Sequence, residues 1–453
     1  MLPLGHYMIL NRHSFGVWSF MAKKVFKAVF KKADSSTFET IQRTLKEKEL
    51  AVYIHIPFCR SICLYCPYVR YVVHDPKVIS KYVDALEAEI RLYGNLLRDL
   101  DLSIVDIHAG GGTPSLLSGE QFERILSTLA ECFETKSEIA IEANPEDLTD
   151  ESRVFDLVDH GVTEVSLGVQ SFNPQMLRRL GRRHSVEDSI RSIENLRQAG
   201  VNRINIDMMY MIPGQSIDDW ERDLEIAVEQ DVDEITCYPT LITEYCPGYR
   251  LVKKRKISQP NKRTFKKMVY ATEDLLSSRG FEPVEIYGYS RKHGWKYVTV
   301  NYEMEGPLLG IGCGAMGFTG GCEYVNTCSV SEYIRSTFNE KIPVAGARLV
   351  SSKERAIRYT VCRLFVCRDL KFEDFRLKFK EDFRNVIGRS SFSGFLTLLR
   401  LLRYIQGYPK GIRLTRKGLF TAHLVCWAFV SNVPCRICEE YMKTAWPTEV
   451  TIP

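Results

Sequence analysis

The stretch YIHIPFCRSICLYCPY, residues 53–68, places three cysteines directly after a strand-like run. Cys59, Cys63 and Cys66 follow the spacing C-x3-C-x2-C. A structural zinc site normally takes four ligands, and this stretch offers neither a fourth cysteine nor a nearby downstream histidine. A cubane iron–sulfur cluster has four irons, so three thiolates leave one iron open to a substrate or cofactor. We therefore expect a [4Fe–4S] cluster here, rather than zinc or plain thiols.

From residue 51 onward, short β-branched runs alternate with longer amphipathic segments. This alternation predicts an α/β fold, with a parallel sheet curled into a full or partial barrel and its chemistry at the carboxyl ends of the strands. The predicted strands are 51–56, 104–110, 138–143, 164–169, 203–209 and 234–239, and the predicted helices lie around 78–98, 118–133, 151–160, 186–199 and 217–230.

The composition is that of an ordinary globular protein. The chain has 453 residues, of which 45% are hydrophobic and 26% charged, so it can form a large core domain and a smaller module. Its formal net charge of +5 is too mild to indicate nucleic acid binding. Fourteen cysteines in such a chain indicate reduced thiols or metal ligands rather than disulfides. With no long apolar run and no signal-peptide pattern, we expect a cytoplasmic protein.

The first fifty residues differ from the rest and form a basic N-terminal extension. Within it, MAKKVFKAVFKK, residues 21–32, predicts a helix with an apolar face and a lysine-rich face. Such a helix can lie on an anionic membrane surface or dock on the body of the protein. Both interpretations stay open, and the first would make the protein peripheral to the membrane.

Six motifs in order resemble a known family. The cysteine stretch is similar to the cluster loop of radical S-adenosylmethionine (SAM) enzymes, specifically the oxygen-independent coproporphyrinogen III dehydrogenase group, which also has a heme chaperone branch. The later motifs are GGGTPS (110–115), IEANP (141–145), LGVQSFN (167–173), LGRRH (180–184) and NIDMMYMIPGQ (205–215). The resemblance covers roughly residues 50–320 and continues more weakly to about residue 425.

The resemblance implies a cofactor site. Cys59, Cys63 and Cys66 would hold the cluster, and its open iron would chelate the methionine part of SAM, the source of a 5′-deoxyadenosyl radical. Members of this branch bind one or two SAM molecules. The positions that match SAM contacts or the aromatic lining of the site are Tyr53, Tyr65, Gly111, Gly112, Thr113, Glu142, Gln170, Arg182, Asp207 and Met316. Taken alone, Glu142 fits a structural carboxylate equally well, and a strand tyrosine is more often a core residue.

The character of the chain changes after residue 320. FLTLLRLLRYIQ, residues 395–406, predicts an amphipathic helix, and GIRLTRKGLF, residues 411–420, predicts a short strand or wing followed by a helix. The resemblance implies that residues 321–453 form a helical, winged-helix-like lid over a radical SAM barrel of residues 51–320, a partial (β/α)6 TIM-like barrel. Cys435 and Cys438 could begin a second metal site or a redox pair, although a structural role is the commoner one.

Two departures from the family bear on function. Coproporphyrinogen-oxidising members have another cysteine two residues after the third, whereas Pro67 and Tyr68 follow Cys66 here. The heme chaperone branch carries H-N-x-x-Y-W, of which only Tyr302 remains. Val298 and Thr299 replace its histidine and asparagine, and Glu303 its tryptophan, although His293 and Trp295 lie near enough for an altered motif.

We carry three hypotheses. The first is a radical SAM enzyme, an oxidoreductase or methyltransferase, that abstracts hydrogen from a porphyrin-like or other hydrophobic small molecule and ends in decarboxylation, methyl transfer or bond formation. The second is a heme chaperone on the same scaffold. The third is a membrane-surface enzyme acting on a lipid. The expected partners are a small-molecule substrate and a low-potential electron donor such as ferredoxin or flavodoxin, and no nucleic acid.

Overall fold

The computed structural model describes residues 28–135, 138–240, 242, 246–254, 261–291, 306–390, 392–432 and 434–452. One large sheet dominates these residues. Its strands follow the order β11-β12-β10-β9-β8-β7-β5-β2-β13-β14-β15-β16-β1-β20, with β6 beside β5. The strands of the large sheet are β1 (Ala28–Lys32), β2 (Glu49–Ile56), β5 (Ser103–Gly111), β6 (Glu134–Thr135), β7 (Ile139–Ala143), β8 (Val162–Gln170), β9 (Arg203–Tyr210), β10 (Glu234–Pro239), β11 (Glu282–Pro283), β12 (Gly288–Ser290), β13 (Leu308–Ile311), β14 (Met316–Phe318), β15 (Cys322–Asn326), β16 (Val344–Leu349) and β20 (Glu449–Ile452).

Two smaller sheets complete the strand set. β3 (Phe58–Cys59) pairs in parallel with β4 (Tyr71–Val72). The other small sheet contains β17 (Asp369–Lys371), β18 (Ile405–Tyr408) and β19 (Gly411–Leu414), with β19 in the middle.

The α-helices of the described residues alternate with the strands in the first half of the chain and continue through the second half. They are α1 (Ser35–Thr44), α2 (Pro76–Leu97), α3 (Gly119–Cys132), α4 (Glu151–Asp159), α5 (Pro174–Leu180), α6 (Val186–Gln198), α7 (Ile217–Glu229), α8 (Tyr249–Lys253), α9 (Lys262–Ser278), α10 (Val330–Phe338), α11 (Ser352–Val361), α12 (Phe372–Phe379), α13 (Phe383–Val386), α14 (Phe392–Leu401), α15 (Arg416–Asn432) and α16 (Pro434–Lys443). Reciprocal capping boxes begin α3, α6 and α7, where a serine side chain accepts from the third backbone amide.

The six predicted strands are confirmed as β2, β5, β7, β8, β9 and β10, which lie side by side and in parallel. The five predicted helices are confirmed as α2, α3, α4, α6 and α7. Since a helix follows each of these six strands, the strands read as apolar runs, and their carboxyl ends share one edge. Among the described strands, no hydrogen bonds join β2 to β10, so these six form the partial barrel that the sequence predicted.

The sheet continues beyond β2 as an extension. β13 adds in parallel to β2, and β14, β15, β16, β1 and β20 then follow in antiparallel register. The helix predicted for residues 21–32 is therefore wrong over Ala28–Lys32, which form β1 between β16 and β20. Phe30 is fully buried in this strand, and sheet pairing on both sides outweighs the helical pattern of the sequence. The expected domain limits at residues 50 and 320 stay predictions, since the sheet runs past both.

The C-terminal lobe, residues 352–432, packs against α9. In it the short strand and following helix predicted over residues 411–420 are confirmed as β19 and the start of α15. The small sheet β17–β19–β18 and the helices α14 and α15 agree with the winged-helix-like arrangement that the resemblance implied. The helix expected over residues 395–406 is wrong in its second half, because α14 ends at Leu401 and Ile405–Tyr408 form β18. Arg403 between them has φ 58°, a left-handed conformation that stops the helix.

Some expectations fall outside the described residues. These are the first 27 residues of the N-terminal extension, the altered motif with His293, Trp295 and Tyr302, and the side chain of Cys435. No helix in the described part of the chain has the length and apolar character needed to cross a bilayer.

Candidate functional site

A loop of residues 57–74, called the cysteine loop below, follows β2 and carries the three predicted cysteines. Their thiols are free and half-buried. The loop is fixed at its middle, where the amide of Leu64 donates to the carbonyl of Leu180 (3.0 Å) and its carbonyl accepts from the amide of Gly248 (2.8 Å). The cysteines are therefore held between the end of α5 and the start of α8.

Arg182 lies against this loop. Its Nη1 is 3.5 Å from the sulfur of Cys63, and its Nη2 donates to Oδ1 of Asn144 (2.7 Å) and the carbonyl of Gly168 (2.8 Å). The buried Nε of Arg182 has no hydrogen-bond partner among the described residues. The ends of β7 and β8 thus orient a cation beside a thiol and leave one of its donors available for a ligand.

Gln170 ends β8 next to Arg182. Its φ of 67° is unusual for a residue other than glycine, and its side chain is buried. A Cβ on Gly168 would lie 2.9 Å from Nε2 of Gln170 and 3.1 Å from Nη2 of Arg182, so Gly168 lets both side chains approach. Backbone conformations of this kind often mark functional sites, because the surrounding structure must maintain them.

Glu142 stands at the end of β7. Its Oε2 accepts from the amide of Gly111 (3.1 Å), and its Oε1 lies 3.5 Å from Nε2 of His108. A Cβ on Gly110 would lie 2.6 Å from Oε1 of Glu142 and 3.1 Å from the ring of Tyr53. The absence of a side chain at Gly110 therefore allows Glu142 and Tyr53 to meet over the end of β5.

Asp207 faces the same interior from β9. Its Oδ1 accepts from the hydroxyl of Tyr238 (3.1 Å) and Nδ2 of Asn205 (3.0 Å). Burial, together with the nearby charge of Glu142, raises the pKa of Asp207 to about 7. The charges of Asp207 and Glu142 repel each other. A ligand between them that is positively charged or donates hydroxyl hydrogen bonds would offset this repulsion.

Gly112 and Thr113 connect the end of β5 to the cysteine loop. The amide of Gly112 donates to the carbonyl of Ile56 (2.8 Å), and a Cβ there would come within 2.6 Å of two backbone oxygens. The hydroxyl of Thr113 accepts from Nδ2 of Asn144 (3.1 Å) and interacts with the thiol of Cys59. Only glycine fits so close to the loop backbone.

The two remaining predicted residues lie at the borders of the site. Tyr65 packs against a small apolar cluster formed by Met176, Leu180, Met209 and Ile212. Met316 is in β14, where its carbonyl faces Gly310, the residue of β13 that pairs with Tyr53. The structure thus brings all the predicted side chains except Met316 around the strand ends, and Met316 is two strands away from Tyr53.

Sequence reasoning missed three residues of the site. Asn144 bridges Arg182 to Thr113, Tyr238 holds Asp207, and His55 joins Tyr53 (3.1 Å) to the carbonyl of Val69 (3.0 Å). Asn144 stands in the quoted IEANP motif, and Tyr238 follows the inward-facing Thr236 by two residues. The period of two along a strand was a signal for Tyr238.

The three thiols of the cysteine loop suit an iron–sulfur cluster. Within the described residues, no three His, Cys, Asp or Glu side chains are arranged to hold one metal ion. In a cubane each thiolate binds its own iron, so the three sulfurs need not converge on one point. Gly112 has no side chain and lies close to the backbone of the cysteine loop, and Arg182 places a positive charge beside Cys63. Both features suit an anionic, sulfur-rich group at this loop.

Comparisons with known proteins agree with this arrangement. Residues 53–227 match the radical SAM superfamily. The heme chaperone HemW of Lactococcus lactis is 30% identical over 379 residues, which cover 82% of this chain and 95% of that protein. The oxygen-independent coproporphyrinogen III oxidase of Escherichia coli is 25% identical over 84% of this chain and 86% of its own length.

A solved structure shares the fold. The coproporphyrinogen III oxidase HemN from Escherichia coli superimposes with a TM-score of 0.74 at 23% identity, over 88% of this chain and 94% of that one. The fold, the cysteine loop and the similarity over most of the chain lead to one assignment. The chain uses a [4Fe–4S] cluster and SAM as cofactors, and it belongs to the radical SAM superfamily, in the family that includes HemW and the oxygen-independent coproporphyrinogen III oxidases.

Proposed function

We propose that the protein is a radical SAM enzyme acting on a porphyrin-like or other large hydrophobic substrate. The observation that supports this proposal is a row of aromatic rings that leads away from Asp207. Tyr238, which donates to Asp207, has its ring 5.9 Å from that of Tyr287, and the ring of Tyr287 is 5.2 Å from that of His423. Neighbouring ring planes meet at 52° and 75°, and His423 is buried, so the row forms an angled aromatic wall between the strand ends and the C-terminal lobe. Such a wall suits contact with a large hydrophobic substrate.

The proposed roles combine the family resemblance with the geometry described above. Cys59, Cys63 and Cys66 hold the cluster. Glu142 and Asp207 accept hydrogen bonds from the ribose or ammonium groups of SAM, and Arg182 donates to its carboxylate. When bound, the cluster and SAM supply a 5′-deoxyadenosyl radical that abstracts hydrogen from the substrate.

The C-terminal lobe acts as the cover in this proposal. His423 of α15 lies on Tyr210 at the end of β9, with its Nδ1 3.1 Å from the tyrosine hydroxyl. The aromatic contacts of Phe265 and Phe420 close the same junction, so the lobe is packed on the side of the barrel near its reactive edge. A cover is needed because a carbon radical must be kept from water and small reductants.

A cysteine replacement tests the cluster assignment. After anaerobic reconstitution, the Cys59→Ala, Cys63→Ala, Cys66→Ala variant should lose the absorption and paramagnetic signal of the cluster. Cys132→Ala, a change at a half-buried thiol on α3, should keep both. A full cluster in the triple variant would show that the cysteines have been assigned wrongly.

A substrate experiment tests the activity. The reconstituted protein, supplied with SAM, a strong reductant and coproporphyrinogen III or other porphyrinogens, should form 5′-deoxyadenosine in step with a product of altered mass. Tyr287→Ala should weaken substrate use more than Tyr287→Phe, which keeps the ring. Porphyrinogens that neither change in mass nor alter the yield of 5′-deoxyadenosine would contradict this substrate class.

The alternative function is heme delivery, and the similarity to HemW favours considering it. Since Val298 and Thr299 replace the histidine and asparagine of that branch, we expect no tight stoichiometric heme binding, but SAM binding at one or two sites. Heme titration followed by absorption, with calorimetry of SAM on the same anaerobic sample, distinguishes the two functions. A one-to-one heme complex that His293→Ala abolishes would replace the enzyme proposal with the chaperone.

A further inference from the structure

Three segments of the chain meet at the cysteine loop and form one surface. They are the loop itself, residues 57–74, the stretch 174–184 that contains α5, and the stretch 246–254 that contains α8. The Leu64 bonds to Leu180 and Gly248 join all three, and the thiol of Cys246 adds a contact to the carbonyl of Tyr65 (2.9 Å). We call this the cysteine-loop surface.

Its charge differs from that of the whole chain. The three segments contain nine Lys or Arg residues and no Asp or Glu, whereas the full chain has 61 basic and 56 acidic residues. Six of the nine are exposed and form no ion pair within the described residues: Arg178, Arg179, Arg183, Arg250, Lys253 and Lys254. The local excess of positive charge is therefore open to solvent.

Two carboxylates beside this surface are already engaged, whereas Asp75, which follows the loop directly, is exposed and accepts from the amide of Lys77 as the N-cap of α2. Asp147 is buried and receives Nε of Arg60 at 2.7 Å, and Glu146 lies 3.5 Å from His184. Neither leaves an exposed negative charge that could neutralise the arginines of α5 or the cations of α8. Charge of one sign, gathered on one face, attracts a partner of the opposite sign and speeds encounter with it.

Apolar side chains lie among these cations. Ile62 is 40% exposed and Tyr68 46% exposed, and both belong to the cysteine loop. An apolar centre with a charged rim is the usual composition of a protein interface. The half-buried thiols lie in the same loop, so a protein seated on this surface would be close to whatever the thiols hold.

We propose that the cysteine-loop surface docks an acidic redox protein that gives one electron to the cluster, such as a flavodoxin in its reduced form. The inference rests on the proposed function, since radical formation requires that electron. The donor is oxidised by one electron, and the cluster is reduced by one. The mixture of exposed apolar and basic side chains is typical of a protein interface, whereas non-specific binding of a DNA duplex depends mainly on cations.

The test uses the full chain after anaerobic reconstitution and recombinant flavodoxin as the probe. The docking variant is Arg178→Glu, Arg250→Glu, Lys253→Glu. The control variant is Arg384→Glu, Arg389→Glu, Arg400→Glu, which makes the same change in net charge at exposed positions of the C-terminal lobe. Calorimetry measures binding of oxidised flavodoxin, and stopped-flow absorption measures cluster reduction by flavodoxin hydroquinone and, separately, by dithionite.

We expect the docking variant to bind flavodoxin at least about tenfold more weakly and to be reduced by it correspondingly more slowly. Its reduction by dithionite should equal that of the wild type, and the control variant should match the wild type in every measurement. Salt should weaken the wild-type complex. Equal losses in both variants would mean that overall charge and not this surface attracts the donor, and no loss in the docking variant would disprove the site.

Neither measurement involves a substrate, so the docking result is independent of porphyrinogen turnover. A protein that binds flavodoxin at this surface yet leaves every porphyrinogen unchanged would keep the docking site and lose the proposed substrate. The reverse outcome, turnover with dithionite and no specific flavodoxin binding, would keep the enzyme and remove the docking site. Binding of a DNA duplex or anionic vesicles that the same three substitutions abolish, in the absence of flavodoxin binding, would assign the surface to another partner and overturn the proposal.

Discussion

Glu142 is oriented by the backbone before any ligand arrives. The amide of Gly111 donates to one carboxylate oxygen, and the other oxygen faces His108 and the ring of Tyr53 across Gly110. A carboxylate fixed in this way loses little conformational entropy when it accepts a bond from SAM. Its charge, more than its shape, should then account for its contribution to binding.

We therefore expect Glu142→Gln to keep the fold and the cluster but to bind SAM roughly ten- to a hundredfold more weakly, as hydrogen bonds to charged groups are worth about 1.5–3 kcal/mol. Calorimetry with SAM on the reconstituted protein measures this. Glu131→Gln on the exposed end of α3 is the control and should bind SAM normally. Equal affinity in Glu142→Gln would remove Glu142 from the SAM site.

Glu89 is a fully buried carboxyl group on α2. It receives the amide of Gly312 (2.7 Å), Nδ2 of Asn326 (2.7 Å) and the hydroxyl of Tyr333 (2.5 Å). Although these donors favour the charged form, complete burial raises the pKa of Glu89 to about 7. Since its ordinary value is 4.5, the folded protein keeps this proton longer than the unfolded chain does.

The raised pKa of Glu89 determines how stability changes with pH. The stabilisation linked to the Glu89 proton is fully present below pH 4.5 and is lost as the pH rises through about 7. In that window the free energy of unfolding should fall by up to about 1.4 kcal/mol per pH unit. Thermal midpoints of the wild type and Glu89→Gln, compared across this range, test it: the wild type should lose stability relative to the variant as pH rises. A constant difference would show that Glu89 does not titrate there.

At the scale of elements, the glycine-rich loop after β13 depends on its fit against β2. Gly312 has φ 104°, and a Cβ there would lie 2.5 Å from the carbonyl oxygen of His55. The hydroxyl of Tyr82 donates to that same carbonyl and accepts from the amide of Cys313. Because the neighbouring atom is backbone, it cannot move aside cheaply.

Two alanine variants separate backbone strain from crowding. Gly280 also has a positive φ, 82°, but a Cβ there meets nothing within 4 Å. We expect Gly280→Ala to lower the free energy of unfolding by about 1 kcal/mol, the cost of a left-handed alanine. Gly312→Ala should cost at least about 2 kcal/mol more, measured by urea denaturation. Similar losses in both would mean that β2 and the loop adjust to the added methyl.

The elements predicted best were those whose local pattern and tertiary position agree. The strands β2, β5, β7, β8, β9 and β10 are short, β-branched apolar runs, and this local pattern matches their position in a buried parallel sheet. Residues 28–32 fit a helix and a strand equally, because Phe30 is buried in either. Only the partners β16 and β20, more than three hundred residues away in sequence, decide between them. Local pattern contains no information on such partners.

At the scale of the whole molecule, two neighbouring residues of α9 attach the C-terminal lobe in different ways. Glu273 accepts from Nη1 of Arg368 (2.9 and 3.0 Å) and from Tyr289, and the side chains of this ion pair are 20% and 15% exposed. Asp274 pairs with Arg416, and both of these side chains are 59% exposed. Because the pair of Glu273 and Arg368 is largely buried, its loss should lower the free energy of unfolding substantially. Solvent screens the pair of Asp274 and Arg416, so its loss should matter less.

We expect Glu273→Gln to destabilise the lobe by about 2–4 kcal/mol, since Arg368 would keep a largely buried charge without its partner. Asp274→Asn should cost less than about 1 kcal/mol. Hydrogen exchange of the β17–β19 amides, followed by mass spectrometry, reports local opening of the lobe directly. Equal protection in the two variants would indicate that apolar packing around His423 holds the lobe by itself.

The candidate site shows the same limit on prediction at larger scale. The resemblance identified Cys63, Glu142, Arg182 and Asp207 as candidate site residues, and of these Glu142 and Asp207 stand at the ends of predicted strands. The row from Tyr238 to Tyr287 and His423 was not predicted. It joins a barrel strand, a loop and a lobe helix, and the packing of separate units on one another leaves no periodic signal in sequence.

The position of β1 has a consequence for the order of events during synthesis. This strand leaves the ribosome early, yet its neighbours β16 and β20 lie more than three hundred residues later. At about 5–20 residues per second, β1 waits roughly 15–60 s for its first partner. Throughout that interval Phe30 and an unpaired strand edge face solvent or a chaperone, so β1 is exposed to aggregation while the chain is being made.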